Sequence, residues 1–330
     1  MILDGQQPQA IATAAQALQA GALVGLPTET VYGLAADADN DAAVAQIFAT
    51  KGRPADHPLI VHVADASGIA HFASSVPPFA QALVDAFWPG PLTLILPRQG
   101  GRAQAATGGQ DSVGLRCPQH PVAQALLHAC QARGVHGLAA PSANRFGRVS
   151  PTSAAHVQDE FGADLLVLDG GACQVGIEST IIDCTRGQPV LLRPGQITRA
   201  QVAAACGQPV LSKDELLTQS PRASGTLEAH YAPNARVRLM DARALQAGLD
   251  LLGADAAHLA VYARSPLRRP SPGVRLVAMP EQAEAAAQQL FAQLRALDDA
   301  GVRLIWIETP PDGADWEGVR DRLQRAAAAG

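Results

Sequence analysis

A chain of 330 residues with 48% apolar and 17% charged side chains can build sizeable cores and is neither disordered nor low-complexity. Its 25 basic against 30 acidic residues, a formal net charge of −5, argue against gripping nucleic acid by bulk charge, although net charge does not describe a cleft. Five scattered cysteines without a CxxC pair suggest neither a zinc knuckle nor a redox motif, and no uncharged apolar run is long enough for a membrane span.

The opening MILDGQQPQA has no basic region followed by an apolar one, so no signal peptide is expected and a reducing, cytoplasmic setting is. An alanine-rich helix is predicted over residues 8–20, then a strand in ALVGLP ending at Pro27. Further strand-like runs fall at 58–63, 91–96, 112–116, 136–140, 164–168 and 179–184, with helical patterns at 41–50, 77–87, 121–132 and 153–161. Strands alternating with helices indicate an α/β sheet, and several connections are too short for helical crossovers, so a mixed sheet is expected. After VLLRPGQIT (190–198) and a short helix, residues 207–235 carry little periodicity and many turn formers. From Arg236 the alternation resumes through helices near 242–252, 280–298 and up to 328. The expected division is 5–200, a linker at 201–235, and a smaller α/β domain at 236–330, with no internal repeat.

No Walker loop, GxGxxG, GxSxG or HExxH motif is present. Instead, several strand ends carry hydroxyls and arginines. GLPTETVYGLAAD (25–37) reads structurally as a strand–turn–strand connection with hydroxyls capping the backbone, or functionally as a polar loop that could hold a small substrate. In TKGRPADHPL (50–59), Lys51 fits a helix end before Gly52, an ordinary complement to the helix dipole. Arg53 fits that account less well: Pro54 forces it to be extended, which suits bidentate binding of phosphate or carboxylate. His57 and His62, each alone, read as structural. GLAAPSANRFGRVSPTSA (137–154) is a surface loop with Ser150 or Thr152 as N-cap on the plain reading, and an anion site with Arg145 and Arg148 on the functional one. Arg116 ends one strand, Ser179 and Thr180 enter another, and Arg193 ends the next. So many converging segments favour a pocket for a triphosphate and a carboxylate-bearing small molecule.

In order, PTETVYGL, KGRPADHPLIVHV, WPGPLTLIL, VGLRCP, PSAN, GIESTIID and LRPG resemble the threonylcarbamoyl-AMP synthase family, in its two-domain YrdC-type form, densely over about residues 10 to 200. SPRASGTLEAHYAP and the α/β unit after it are similar to the longer subfamily. The resemblance implies a twisted mixed sheet of YrdC type, with a smaller Rossmann-like α/β domain joined by a long linker. It implies a nucleotidyltransferase that joins L-threonine, bicarbonate and ATP into threonylcarbamoyl-AMP with release of pyrophosphate. Magnesium is an expected companion of ATP, and no metal ligand is assigned. By the same matching, Lys51, Arg53, Ser142 and Asn144 form the nucleotide and catalytic set. His57, Ser112, Ser150, Arg193 and the linker's His230 and Tyr231 look like further ATP contacts. Thr30, His62, Arg116, Ser179 and Thr180 look like threonine contacts. The product would pass to a downstream tRNA threonylcarbamoyltransferase complex that modifies the adenosine beside the anticodon. Competing readings are an RNA-binding module, with weak RNA binding in its own right, and a threonine or nucleotide regulator without turnover. The zinc-finger cysteines and extra domain of the related hydrogenase-maturation carbamoyltransferases are missing.

Overall fold

The computed structural model describes residues 1–212, 215 and 221–329, and divides into two compact units. The first comprises residues 1–146 and 150–226; the second comprises 147–149 and 227 onward. Residues 213–214 and 216–220 of the expected linker lie outside the described residues.

The first unit is built on a mixed sheet. Its strands are β1 (Ile2–Asp4), β2 (Val24–Leu26), β3 (Gly33–Asp37), β4 (Ile60–His62), β5 (Leu92–Pro97), β6 (Ser112–Arg116), β7 (Leu138–Ala139), β8 (Leu166–Asp169), β9 (Thr180–Asp183), β10 (Val190–Arg193) and β11 (Leu211–Ser212). Their spatial order is β1-β8-β2-β3-β7-β4-β6-β5-β9-β10-β11. Parallel pairs such as β4–β6 and β5–β9 alternate with antiparallel ones such as β5–β6 and β9–β10. Around it pack α1 (Pro8–Gln19), α2 (Asp41–Lys51), α3 (Ile69–Phe72), α4 (Pro78–Phe87), α5 (Pro121–Gln131), α6 (Ala154–Phe161) and α7 (Arg199–Cys206). One core joins α2, α4 and α7 to Leu34, Val61, Leu94 and Leu115 of the sheet. A second joins the alanine stripe of α1 to α5, Val24 and Leu26.

The helix ends follow local chemistry. Asn40 caps α2, its side chain accepting from Ala43 N, and Gly52 closes that helix in the left-handed region at φ 64°. Thr198 and Gln201 form a reciprocal capping box on α7. The N-cap of α6 is Ser153 rather than Ser150 or Thr152. Those two are buried, and the Ser150 hydroxyl is already given to Glu178.

The second unit is a four-stranded parallel sheet, β12 (Arg236–Met240), β13 (Leu259–Ala263), β14 (Arg275–Ala278) and β15 (Leu304–Glu308), in the order β12-β15-β13-β14. Its helices are α8 (Ala242–Leu252), α9 (Ala283–Asp299) and α10 (Glu317–Ala328). No helix of the described residues is long and apolar enough to cross a membrane.

Candidate active site

Strand alternation decides which side chains meet. Val61, Leu94, Val113 and Leu115 point into the helix-covered core, so His62, Thr93, Ser112, Gly114 and Arg116 face the other side of the sheet. The β4–β6 register sets His62 level with Arg116. Thr93 Oγ1 and Ser179 Oγ share a hydrogen bond of 2.7 Å. Backbone bonds draw the loops together: Ala143 N donates to Tyr32 O, Tyr32 N to Pro151 O, Val175 N to Glu29 O and Thr180 N to Pro91 O.

The PTET turn is ordered by its own hydroxyls. Thr28 Oγ1 donates to Val31 O (2.6 Å) and lies 2.9 Å from Thr30 Oγ1, which accepts from Arg116 Nη1 at 2.7 Å. With the Thr28 proton committed to Val31, the relay has one direction: Arg116 to Thr30 to Thr28 to the backbone. Arg116 Nε donates to Gly90 O at 3.3 Å, and its Nη2 lies 2.6 Å from Glu29 Oε1. Thr30, Glu29 and Arg116 are all buried. Burial, reinforced by the Arg116 charge, pushes the His62 imidazole down to about 3, so His62 is neutral near pH 7.

The second group is cationic. Lys51 closes α2 but is only 3% exposed, because its Nζ turns inward and donates to Ser142 O at 2.6 Å and to Asn144 O. Burial, then the Arg53 charge, pushes its amine well below the ordinary lysine range, while the two carbonyl acceptors favour the ammonium. Arg53 is held by Pro58 O (2.9 Å) and reaches Ser224 Oγ at 3.5 Å, with Phe146 under its guanidinium. Arg193 donates to Ser179 O (3.0 Å), Ser179 Oγ (3.1 Å) and Ser224 O (2.9 Å). Thus Arg53 and Arg193 both hold Ser224, part of a strap that Arg222 fastens by its pair with Asp56 at 2.5 Å. Beneath the strap, Ile60, Ser112, Ile181 and Ala223 line a water-sized cavity of about 20 Å³.

The structure brings together Thr30, His62 and Arg116; Lys51, Ser142 and Asn144; and Arg53, Arg193 and Ser179. His57 is half-buried and packs edge-on to Phe146. Ser112 lines the small cavity. Thr180 alternates to the opposite face from Ser179, and its hydroxyl donates to Ile197 O at 2.7 Å. His230 and Tyr231 belong to the second unit, where Arg322 lies over the Tyr231 ring and Phe291 packs beside it. Of the loop arginines, Arg145 is exposed and Arg148 pairs with Asp298 at 3.4 Å, so the anion site read into that loop is not assembled from them. Sequence reasoning did not single out Glu29, Glu178, Thr93 or Ser224. Glu29 lies inside the quoted PTET motif, and only its burial against Arg116 sets it apart.

Comparison with known proteins converges on one family. Residues 16–195 match the Sua5/YciO/YrdC family model, described as "Telomere recombination". Residues 197–328 match the model described as the C-terminal domain of threonylcarbamoyl-AMP synthase. The chain belongs to the threonylcarbamoyl-AMP synthase family. Its relatives of that name include proteins from Pyrococcus abyssi, 35% identical across 96% of this chain and 94% of the relative, and Bacillus subtilis, 37% identical across 98% and 94%. The crystal structure of P. abyssi Sua5 complexed with L-threonine superposes with a TM-score of 0.89 at 34% identity, covering 98% of this chain and 95% of that one. The family is one of nucleotidyltransferase enzymes, and the mixed sheet followed by a smaller parallel-sheet unit is the architecture expected of it.

Proposed function

We propose that this chain makes threonylcarbamoyl-AMP from L-threonine, bicarbonate and ATP, releasing pyrophosphate. The observation that carries the reading is the joining of two buried polar groups where Arg193 donates to Ser179 and, with Arg53, to Ser224. One is the set of Thr30, His62, Arg116 and Ser179, which combines hydroxyls, a neutral imidazole and one guanidinium; the other is the cationic set of Lys51, Arg53 and Arg193. In this reading the threonine carboxylate lies toward Arg116 and Ser179, and the triphosphate lies along Lys51, Arg53 and Arg193. Ser142, Asn144, Ser150, Ser112 and His57 complete the nucleotide side, and Thr180 supports Ser179 from behind.

The chemistry asks for no enzyme nucleophile. The threonine amine adds to the carbon of carbon dioxide and gives up a proton to solvent, or adds to bicarbonate with loss of water, and either route gives a carbamate. A carbamate oxygen then attacks the α-phosphorus, and pyrophosphate leaves with the electron pair of the broken P–O bond. The chain's part is positioning and charge stabilisation. The Lys51 ammonium and Arg53 guanidinium hold charge that builds on the phosphate oxygens. Neutral His62 can accept or give a hydrogen bond to threonine without adding charge. Among the described residues no group of three or more His, Cys, Asp or Glu could hold a metal, so a magnesium ion would arrive with the triphosphate and supply charge neutralisation there. The strap must shift to admit the phosphates, since Ser224 now occupies donors of Arg53 and Arg193. The product would serve a downstream tRNA threonylcarbamoyltransferase, a setting that places the chain in the cytoplasm.

The test is pyrophosphate release by the purified chain with each substrate omitted in turn. Release that needs threonine, bicarbonate and ATP together supports the reading; release indifferent to threonine rejects it.

A further inference from the structure

Arg116 is 4% exposed, and each of its three nitrogens already faces a protein oxygen. Two of those oxygens come from consecutive residues: Thr30 Oγ1 on Nη1 at 2.7 Å and Glu29 Oε1 at 2.6 Å from Nη2. Glu29 is 3% exposed, and neither carboxylate oxygen has a well-aligned hydrogen bond among the described residues. What holds that carboxylate is therefore the charge of Arg116, which is its ion-pair partner. The reverse dependence is as strong. His62, level with Arg116 across the β4–β6 pair, carries no negative charge in either protonation state and so cannot balance the guanidinium.

We infer that Glu29 is the positioning residue for the amino-acid end of the site, fixing the Arg116 guanidinium against Thr30. This rests on the threonine reading above and extends it to a residue outside the assigned contacts. The pairing has two effects. It locks the fork, so that a substrate carboxylate meets N–H groups already oriented rather than a mobile cation. It also leaves the pocket formally neutral at this end. A lone buried cation would attract any small inorganic anion, whereas a neutral Glu–Arg pair favours a ligand that offers several directed hydrogen bonds.

The experiment is steady-state kinetics on the full-length chain for Glu29→Gln, Glu29→Asp, Arg116→Gln and the double variant Glu29→Gln/Arg116→Gln. Glu29→Gln should raise the threonine KM by about ten-fold or more while the ATP KM stays within about two-fold, and Glu29→Asp should recover part of the loss. Sulfate should inhibit Glu29→Gln competitively against threonine and leave the parent little affected. The double variant removes both buried charges, which keeps the test open if the single Glu29→Gln chain does not fold. Because Glu29 acts through Arg116, the double variant's threonine KM should equal that of Arg116→Gln alone. An unchanged threonine KM in Glu29→Gln, parallel rises in both substrates, or a double variant worse than Arg116→Gln by the full single-variant factor would overturn the inference. A parent chain that does not need threonine overturns both readings. A threonine-dependent parent with an unaltered Glu29→Gln variant overturns this one alone.

Discussion

Replacing His62 by glutamine should remove a defined part of the first unit's acid sensitivity. His62 is 3% exposed beside Arg116, and its imidazole is pushed from 6.5 down to about 3, chiefly by burial. The folded value lies below the unfolded one, so the unfolded chain takes up this proton first as the pH falls. Stability at this site is therefore complete above about pH 6.5 and declines as acid is added through the window down to about pH 3. At about pH 5 the unfolded side is favoured by roughly 1.5 pH units of linkage, or about 2 kcal/mol at about 1.4 kcal/mol per unit. Urea unfolding followed by Trp88 reports on the first unit once Trp306 and Trp316 are changed to phenylalanine. Between about pH 8 and about pH 5, the parent should lose about 2 kcal/mol more than His62→Gln. Other titrating groups, such as Asp37 with its raised value and His120 with its lowered one, are common to both chains and largely cancel. Losses that agree within about 0.5 kcal/mol would refute the reasoning.

Three further outcomes follow from the same geometry. Lys51→Met should lower threonine-dependent pyrophosphate release by about 100-fold or more, since it removes a charge aimed at the phosphates. It should also lower the melting temperature, because Nζ ties the carbonyls of Ser142 and Asn144; near-parental turnover would take Lys51 out of the machinery. Thr30→Val deletes the acceptor for Arg116 Nη1 and the donor to Thr28, so the threonine KM should rise about ten-fold at an unchanged ATP KM, a loss of about 1–3 kcal/mol. Gly195→Ala would set a Cβ 2.5 Å from Thr180 N and 2.8 Å from Glu178 O, and should destabilise the first unit by about 2 kcal/mol or more in a urea melt.

Much of this fold was legible because its signals are local. The proline- and glycine-bounded PTETVYGL segment has a plain reading as strand–turn–strand, and the structure has β2 ending just before it and β3 beginning at its Gly33. The α2 stop at Gly52 followed from the left-handed cap. β1 escaped notice: it has three residues, two of them exposed, and exists by pairing with β8 far along the chain. The side-chain partners within the site that local reading could not supply share that cause. On its plain reading Lys51 is a dipole complement at a helix end, yet its partners are carbonyls about 90 residues away, and its burial depends on them. Ser150 looked like a cap, but its partner is Glu178. Arg148 looked like an anion ligand, but it pairs with Asp298. Glu29 was passed over because nothing within PTET reveals that Arg116 will stand against it. Motif order identified the family; long-range pairing decided which side chains of each motif face one another.

The most direct test of the central claim is the mass of the product formed from ATP, L-threonine and ¹³C-bicarbonate by the full-length chain. The account predicts a threonine–carbamoyl–adenylate species that gains one mass unit from the labelled carbon and forms in step with pyrophosphate. An adenylate that lacks the label, or one that forms without threonine, would contradict it.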